Sequence, residues 1–130
     1  MQTEPKIDVA SLKHHAFAEI DALRDEAVAI AKEIHANPEV GWETPHAAGL
    51  LTRYLERHGM LVDKGVADLE CAFRGSAPGR EGQGPGVALL AEYDALPGLG
   101  HACSHNLIGT IAATAGIAVS KVLGQLEGNV

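Results

Sequence analysis

Cysteine is nearly absent from this chain, with two residues, Cys71 and Cys103, in 130. Two such thiols do not make a disulfide framework, and a reducing cytoplasm is the expected location. Aromatics are scarce as well, at 4%, so a core must rest on Leu, Ile, Val and Ala. Positive charge is in deficit, with 10 Lys and Arg against 17 Asp and Glu and a formal net charge of -7. No Lys/Arg cluster offsets it, which argues against a nucleic-acid partner. No apolar run approaches the thickness of a bilayer, so no membrane span is predicted. The first residues, Met1-Gln-Thr-Glu-Pro5, are polar and acidic and do not resemble a secretory signal. What remains is ordinary for one folded domain: 46% hydrophobic and 21% charged residues over a length that supports a core.

Residues 1–12 read as a flexible leader. From Lys13 to Ala36, Ile20, Leu23, Ala27, Ile30 and Ile34 recur at three- and four-residue steps, which predicts an amphipathic helix ended by Asn37-Pro38. A second helix is predicted from Thr44, as N-cap, through Pro45 at its first position to His58 before Gly59. Short strands are predicted at 61–66 and 70–74, with Cys71 as inert core in the latter. Gly75 to Gly86 holds five glycines and two prolines and reads as an exposed turn. Val87-Ala-Leu-Leu-Ala91 is wholly apolar and predicts a central strand covered on both faces. Helical character returns from Asn106 to Gln125 through Ile108, Ala112, Ala115, Val119 and Val122. The order helix, helix, three strands, helix predicts an α/β fold with a mixed sheet flanked by helices.

The chemistry gathers in one loop after the apolar strand: Glu92-Tyr-Asp94-Ala-Leu-Pro-Gly-Leu-Gly-His101-Ala-Cys103-Ser-His105-Asn106. Glu92, Asp94, His101, Cys103 and His105 are each costly to bury unpaired, so their concentration at a strand end suggests a site. If the segment is extended, Cys103 and His105 face one side and could grip one ion or a close pair. Thiolate with imidazole suits zinc, or cobalt, nickel or manganese where oxygen donors are added. Asp94 is placed to accept a hydrogen bond from a ligand imidazole and fix its orientation.

Other readings of these residues are weaker. Cys71 is remote from the loop, which disfavours a closed structural zinc site, and a Cys-His-Asn protease arrangement does not fit side chains as close in sequence as Cys103, His105 and Asn106. Gly82-Gln-Gly84-Pro-Gly86 lacks the Lys and Ser/Thr of a phosphate loop. His14 and His15 are expected in solvent, His46 and His58 on a helix surface, and Trp42 anchored in the core beside His35.

The loop closely resembles a signature of the amidohydrolase branch of the aminoacylase/carboxypeptidase (M-twenty) metallopeptidase family. Ile34-His-Ala-Asn-Pro-Glu-Val-Gly-Trp-Glu43 also resembles a family segment. The Glu-Tyr-Asp-Ala-Leu-Pro-Gly wording is most similar to the dipeptidase and p-aminobenzoyl-glutamate hydrolase members. The resemblance implies that residues 13–130 are the N-terminal portion of a catalytic α/β domain, without the inserted dimerisation domain and the C-terminal portion. It implies two divalent metal ions, zinc by default, with Cys103 bridging them and His105 a terminal ligand. Asp94 matches a catalytic aspartate that supports the ligands, while Glu92 stands where other branches carry a ligand histidine; Glu92 and His101 are candidate supporting residues. The implied activity, in the complete protein, is hydrolysis of an amide or peptide bond in a small N-acyl-amino acid or dipeptide-like substrate, by a homodimer. The family's Glu-Glu pair and further histidines have no counterpart after His105, where Glu127 is the one acid. The 130 residues alone are therefore expected to be inactive, and the alternative is a non-catalytic α/β fragment that binds metal weakly or joins a complementary chain. Ser104 replaces the glycine usual between the two ligands, and a strained backbone is expected there.

Overall fold

The computed structural model describes residues 7–80, 82 and 84–130. Helix α1, Val9–Ala36, starts where the Asp8 carboxylate accepts hydrogen bonds from Ala10 N and Ser11 N at 3.1 and 3.2 Å. Those bonds satisfy donors that any helix start leaves open. The helix begins ahead of the expected Lys13 and already buries Leu12, so it absorbs the end of the expected leader; residues 1–6 lie outside the described residues. Helix α2, Pro45–Arg57, has proline in its first turn and is followed by Gly59 at φ 87°. Thr44 occupies the cap position without a side-chain cap bond. The Glu39 carboxylate takes that role instead, accepting from His46 N and Ala47 N at 2.9 Å each.

The core joins Leu23, Ile30 and Ile34 of α1 to Leu51, Tyr54 and Leu55 of α2 and Ala113 and Ile117 of the third helix. Ile34, Leu51, Tyr54 and Ile117 are fully buried, and an aliphatic side chain among them contributes roughly 1.5–3 kcal/mol by leaving water. Helix α3, His105–Ser120, makes its widest helix contact with α1. It does not bury the stripe expected from its sequence, since Ile108 is 38% exposed while Gly109, Ala113, Gly116 and Ile117 face inward. The reason is close approach: a Cβ on Gly109 would stand 2.8 Å from the Glu92 carbonyl oxygen. The row of small residues is the one that lets the neighbouring chain come near.

Strands β1, Leu61–Lys64, and β2, Phe73–Ser76, pair antiparallel with Leu61 opposite Ser76 and Lys64 opposite Phe73. Cys71 falls in the turn before β2, half-buried, and not in the middle of a strand. The segment after β2 does not turn back onto a partner strand. It runs along the last residues of the chain, where Ala77 and Val130 exchange backbone hydrogen bonds at 2.7 and 3.1 Å.

The predicted central strand differs most. Val87, Leu89 and Leu90 are 64, 43 and 80% exposed, and 87–91 is not a strand. Val87 N donates to Asn129 O at 3.0 Å, but among the described residues Ala88–Ala91 find no backbone partner. An extended run cannot become a central strand without neighbours to complete its ladder. The sheet is therefore a two-stranded antiparallel one and not the mixed sheet expected. Its combination with three helices is compatible with an α/β class. Among the described residues no helix is long and apolar enough to cross a membrane.

Candidate functional site

The sequence-predicted loop starts where the chain crosses α3. Tyr93 is fixed on one side: its hydroxyl donates to the Cys71 carbonyl at 2.6 Å and its ring stacks on Phe73 with centroids 5.6 Å apart. With Tyr93 committed to that side, the alternation of an extended chain sends Glu92 and Asp94 to the other. Ala95, 1% exposed, donates its N–H to the Glu39 carbonyl at 2.6 Å. The loop then folds on itself through Leu96 and Gly100, whose amide and carbonyl pair at 2.9 Å, with Gly98 and Gly100 at φ 71° and 61°. These left-handed values are ones glycine adopts without steric cost.

The chain enters α3 through a strained residue. Ser104 has φ 66° and ψ 23°, and its carbonyl accepts from Leu107 N and Ile108 N at 2.9 and 3.1 Å. Cys103 and His105 are thus separated by a left-handed kink and not by the extended link expected from the sequence. His105 is the first residue of α3. Asn106 ties that end to α1, donating from Nδ2 to the Ala31 carbonyl at 3.1 Å inside the core.

His105 is the centre of the cluster. Its Nδ1 lies 2.7 Å from Asp94 Oδ1, and its Nε2 lies 3.0 Å from Glu92 Oε2. The ring is 23% exposed and the two carboxylates 40 and 56%, so the group opens to solvent on the carboxylate side. A neutral imidazole carries one N–H and cannot donate to both carboxylates at once.

His101 sits apart from that contact. It is 7% exposed, neither ring nitrogen has a hydrogen-bond partner, and its ring lies 6.1 Å from that of His35. Burial holds its pKa below the ordinary histidine value, helped by the imidazoles of His35 and His105 and opposed by the Ile34 carbonyl and the Asp94 carboxylate. Cys103 is half-buried with a free thiol. Trp42 is not anchored in the core as expected but is 78% exposed, because Val40 is drawn into a parallel bridge with Ala95 and the loop beyond it turns outward.

The donors present fit part of a metal centre. Thiolate, imidazole and carboxylate are the groups a zinc-like ion takes, and the His105 ring already has Nδ1 held by a carboxylate as a ligand histidine requires. Among the described residues, however, no three His, Cys, Asp or Glu side chains converge into a ready cage. The structure adds four residues that motif reading missed: Tyr93, Gly109, Asn106 and Glu39. Of these, the Tyr between two acids and the Asn directly after His105 were visible as positions; Gly109 and Glu39 act through contacts distant in sequence.

No family model matches the chain. It is 36% identical over 131 residues to the "Xaa-Arg dipeptidase" of Mus musculus, covering 95% of this chain and 30% of the relative. It is 40% identical over 124 residues to a component of the p-aminobenzoyl-glutamate hydrolase of Escherichia coli (strain K12), covering 82% and 25% respectively. Similarity to "Thermostable carboxypeptidase 2" of Saccharolobus solfataricus is 30% over 106 residues, covering 68% and 25%. The chain thus spans no more than about a third of each of these relatives.

Proposed function

Because the chain belongs to the aminoacylase/carboxypeptidase (M-twenty) family, we propose that it is the metal-binding portion of a hydrolase that cleaves an amide or peptide bond in a small N-acyl-amino acid or dipeptide-like substrate. Relatives named dipeptidase, p-aminobenzoyl-glutamate hydrolase and carboxypeptidase support the reaction class. The observation that carries the reading is the His105 imidazole, fixed at Nδ1 by Asp94 at 2.7 Å and presented from the first residue of α3.

In this reading Cys103 and His105 hold two divalent ions, with zinc as the first choice and manganese, cobalt or nickel as alternatives. When bound, such ions lower the pKa of water and polarise the scissile carbonyl. The chain's own residues do the positioning. Asp94 keeps Nδ1 protonated, so that Nε2 offers its lone pair outward. The partial positive charge at the start of α3 favours anionic groups beside it, the Cys103 thiolate among them. Tyr93 and Ala95 hold the carboxylate-bearing segment from behind, so the ring and Asp94 keep their spacing.

The test is metal retention. After zinc loading and desalting, the purified chain should keep metal by mass spectrometry, and Cys103→Ala and His105→Ala should each lose it. Asp94→Asn, which removes an orienting contact and no ligand, should retain more than either, with affinity lowered ~10–100-fold. Full occupancy in Cys103→Ala would refute the assignment.

A further inference from the structure

Independently of the metal-site reading, we infer that the cavity between β2 and residues 86–91 is an acceptor for one extended, apolar strand of another polypeptide. That strand runs antiparallel to β2 and parallel to 87–91. Residues 129–130 show how it seats. Val130 N donates to Ala77 O at 3.1 Å and Val130 O accepts from Ala77 N at 2.7 Å, a closed pair of the antiparallel kind. On the other edge Asn129 N donates to Pro85 O and Asn129 O accepts from Val87 N, each at 3.0 Å, and Asn129 bridges Gly86 in the parallel sense. Residues 129–130 are thus paired on both edges, and both belong to the lining of the cavity.

Both walls of the cavity present matching backbone groups beyond that point. Backbone N–H and C=O groups alternate sides along an antiparallel strand. With Ala77 turned to Val130, Gly75 and Phe73 turn the same way, on the edge of β2 that β1 does not cover. On the opposite wall Val87 turns its N–H to Asn129, which puts Leu89 and Ala91 on that side. Among the described residues Ala88–Ala91 have no backbone partner. The floor is apolar, formed by Leu55, Met60 and Ala113 under a cavity of about 730 Å³. Val130 and Phe73 pack on the buried core, and a Cβ on Gly75 would stand 2.6 Å from Leu55 Cδ1. Positions of the incoming strand in phase with Val130 therefore meet the core, and the absent side chains of Gly75 and Gly116 leave them room. Strand addition takes affinity from main-chain bonds and selectivity from alternate side chains, so the partner carries apolar residues at every second position. A second copy offering its own 86–91 about a two-fold axis would lie antiparallel to that segment, against the parallel sense that Asn129 sets.

The probe is a capped, fluorescently labelled peptide alternating valine with threonine between flanking lysines, titrated into the 130-residue chain and followed by anisotropy. Binding should saturate, and the same peptide with N-methylated backbone amides should not bind. Hydrogen exchange by NMR should slow at least ~10-fold at Leu89 and Ala91 in the complex, and not at Ala88 and Leu90. Leu89→Pro removes an N–H that faces the cavity and should weaken binding at least ~10-fold. Ala88→Pro removes one that faces away and should bind within ~3-fold of wild type, with far-ultraviolet circular dichroism unchanged in both. No saturable binding by the wild-type chain would overturn the inference. Equal affinity for the N-methylated peptide would also overturn it, since the contact would then be apolar adhesion without strand pairing. Protection at Ala88 and Leu90 in place of Leu89 and Ala91, or equal losses in the two proline variants, would place the strand on the wrong edge. Self-association that the peptide fails to displace would assign the cavity to a second copy and overturn the inference as well.

Discussion

Ser104 shows how one side chain records the demands of the loop. At φ 66° and ψ 23° it holds a left-handed conformation that costs an L-residue roughly 1–2 kcal/mol. Its hydroxyl gives nothing back as a cap, since no side-chain bond to the helix start is formed. Glycine would remove the steric term but give more freedom to the unfolded chain, a loss of roughly 0.5–1 kcal/mol. The balance predicts that Ser104→Gly stabilises the chain by roughly 0.5–1 kcal/mol in urea unfolding and binds zinc at least as tightly. Lower stability of the glycine variant would mean that the serine contributes an interaction outweighing the strain. The strain was expected from the family resemblance, in which glycine is usual where Ser104 stands. The dihedral itself came from the need to turn Cys103 into α3.

At the scale of elements, the start of α2 is coupled to the site by a residue that neither local rule nor motif pointed to. Thr44-Pro45 reads as a cap and first turn, and the helix does begin there. Yet the bonds to its open N–H groups come from Glu39, through both carboxylate oxygens at 2.9 Å. The same residue's backbone carbonyl accepts from Ala95 at 2.6 Å, next to Asp94. Glu39→Ala should therefore destabilise the chain by about 1–2 kcal/mol, as losing a charged cap does, while Thr44→Ala should cost much less. Chemical denaturation of the two variants separates them; equal losses would mean that Thr44 does the capping in solution. A second network joins α1 to the end of α2, where Glu26 meets both Arg57 and His58. Burial alone would raise the Glu26 carboxyl, but the hydrogen bonds and charges of Arg57 and His58 outweigh it and hold its pKa below the ordinary 4.5. Stability from this contact is present above that value and fades as pH falls through the lowered pKa.

For the whole molecule, the decisive feature is an apolar segment without a sheet to enter. Between β2 and residues 86–91 lies an open cavity of about 730 Å³, with Val130 at its edge. Leu90 is 80% exposed there, and Ala88–Ala91 lack backbone partners among the described residues. Exposed apolar segments with unpaired backbone groups recruit other chains. The 130-residue chain should self-associate with rising concentration, and Leu90→Lys should shift it toward monomer in sedimentation velocity. An unchanged distribution in Leu90→Lys would place the sticky surface elsewhere, the apolar groove between α1 and α3 being the next to test.

Helices and loop chemistry were determined by the sequence itself. Periodicity placed α1 and α2, Asn37-Pro38 and Gly59 stopped them, and Glu92, Asp94, Cys103 and His105 stood out as a candidate site, because these signals depend on neighbours within a few residues. The face that α3 buries, the cap on α2, the exposure of Trp42 and the fate of 87–91 were decided only by the tertiary structure. Each depends on what stands across from it. Gly109 faces inward because Glu92 passes over it, Glu39 caps because the loop returns to α2, and an apolar run becomes a central strand only when neighbouring strands supply the hydrogen bonds its own sequence cannot.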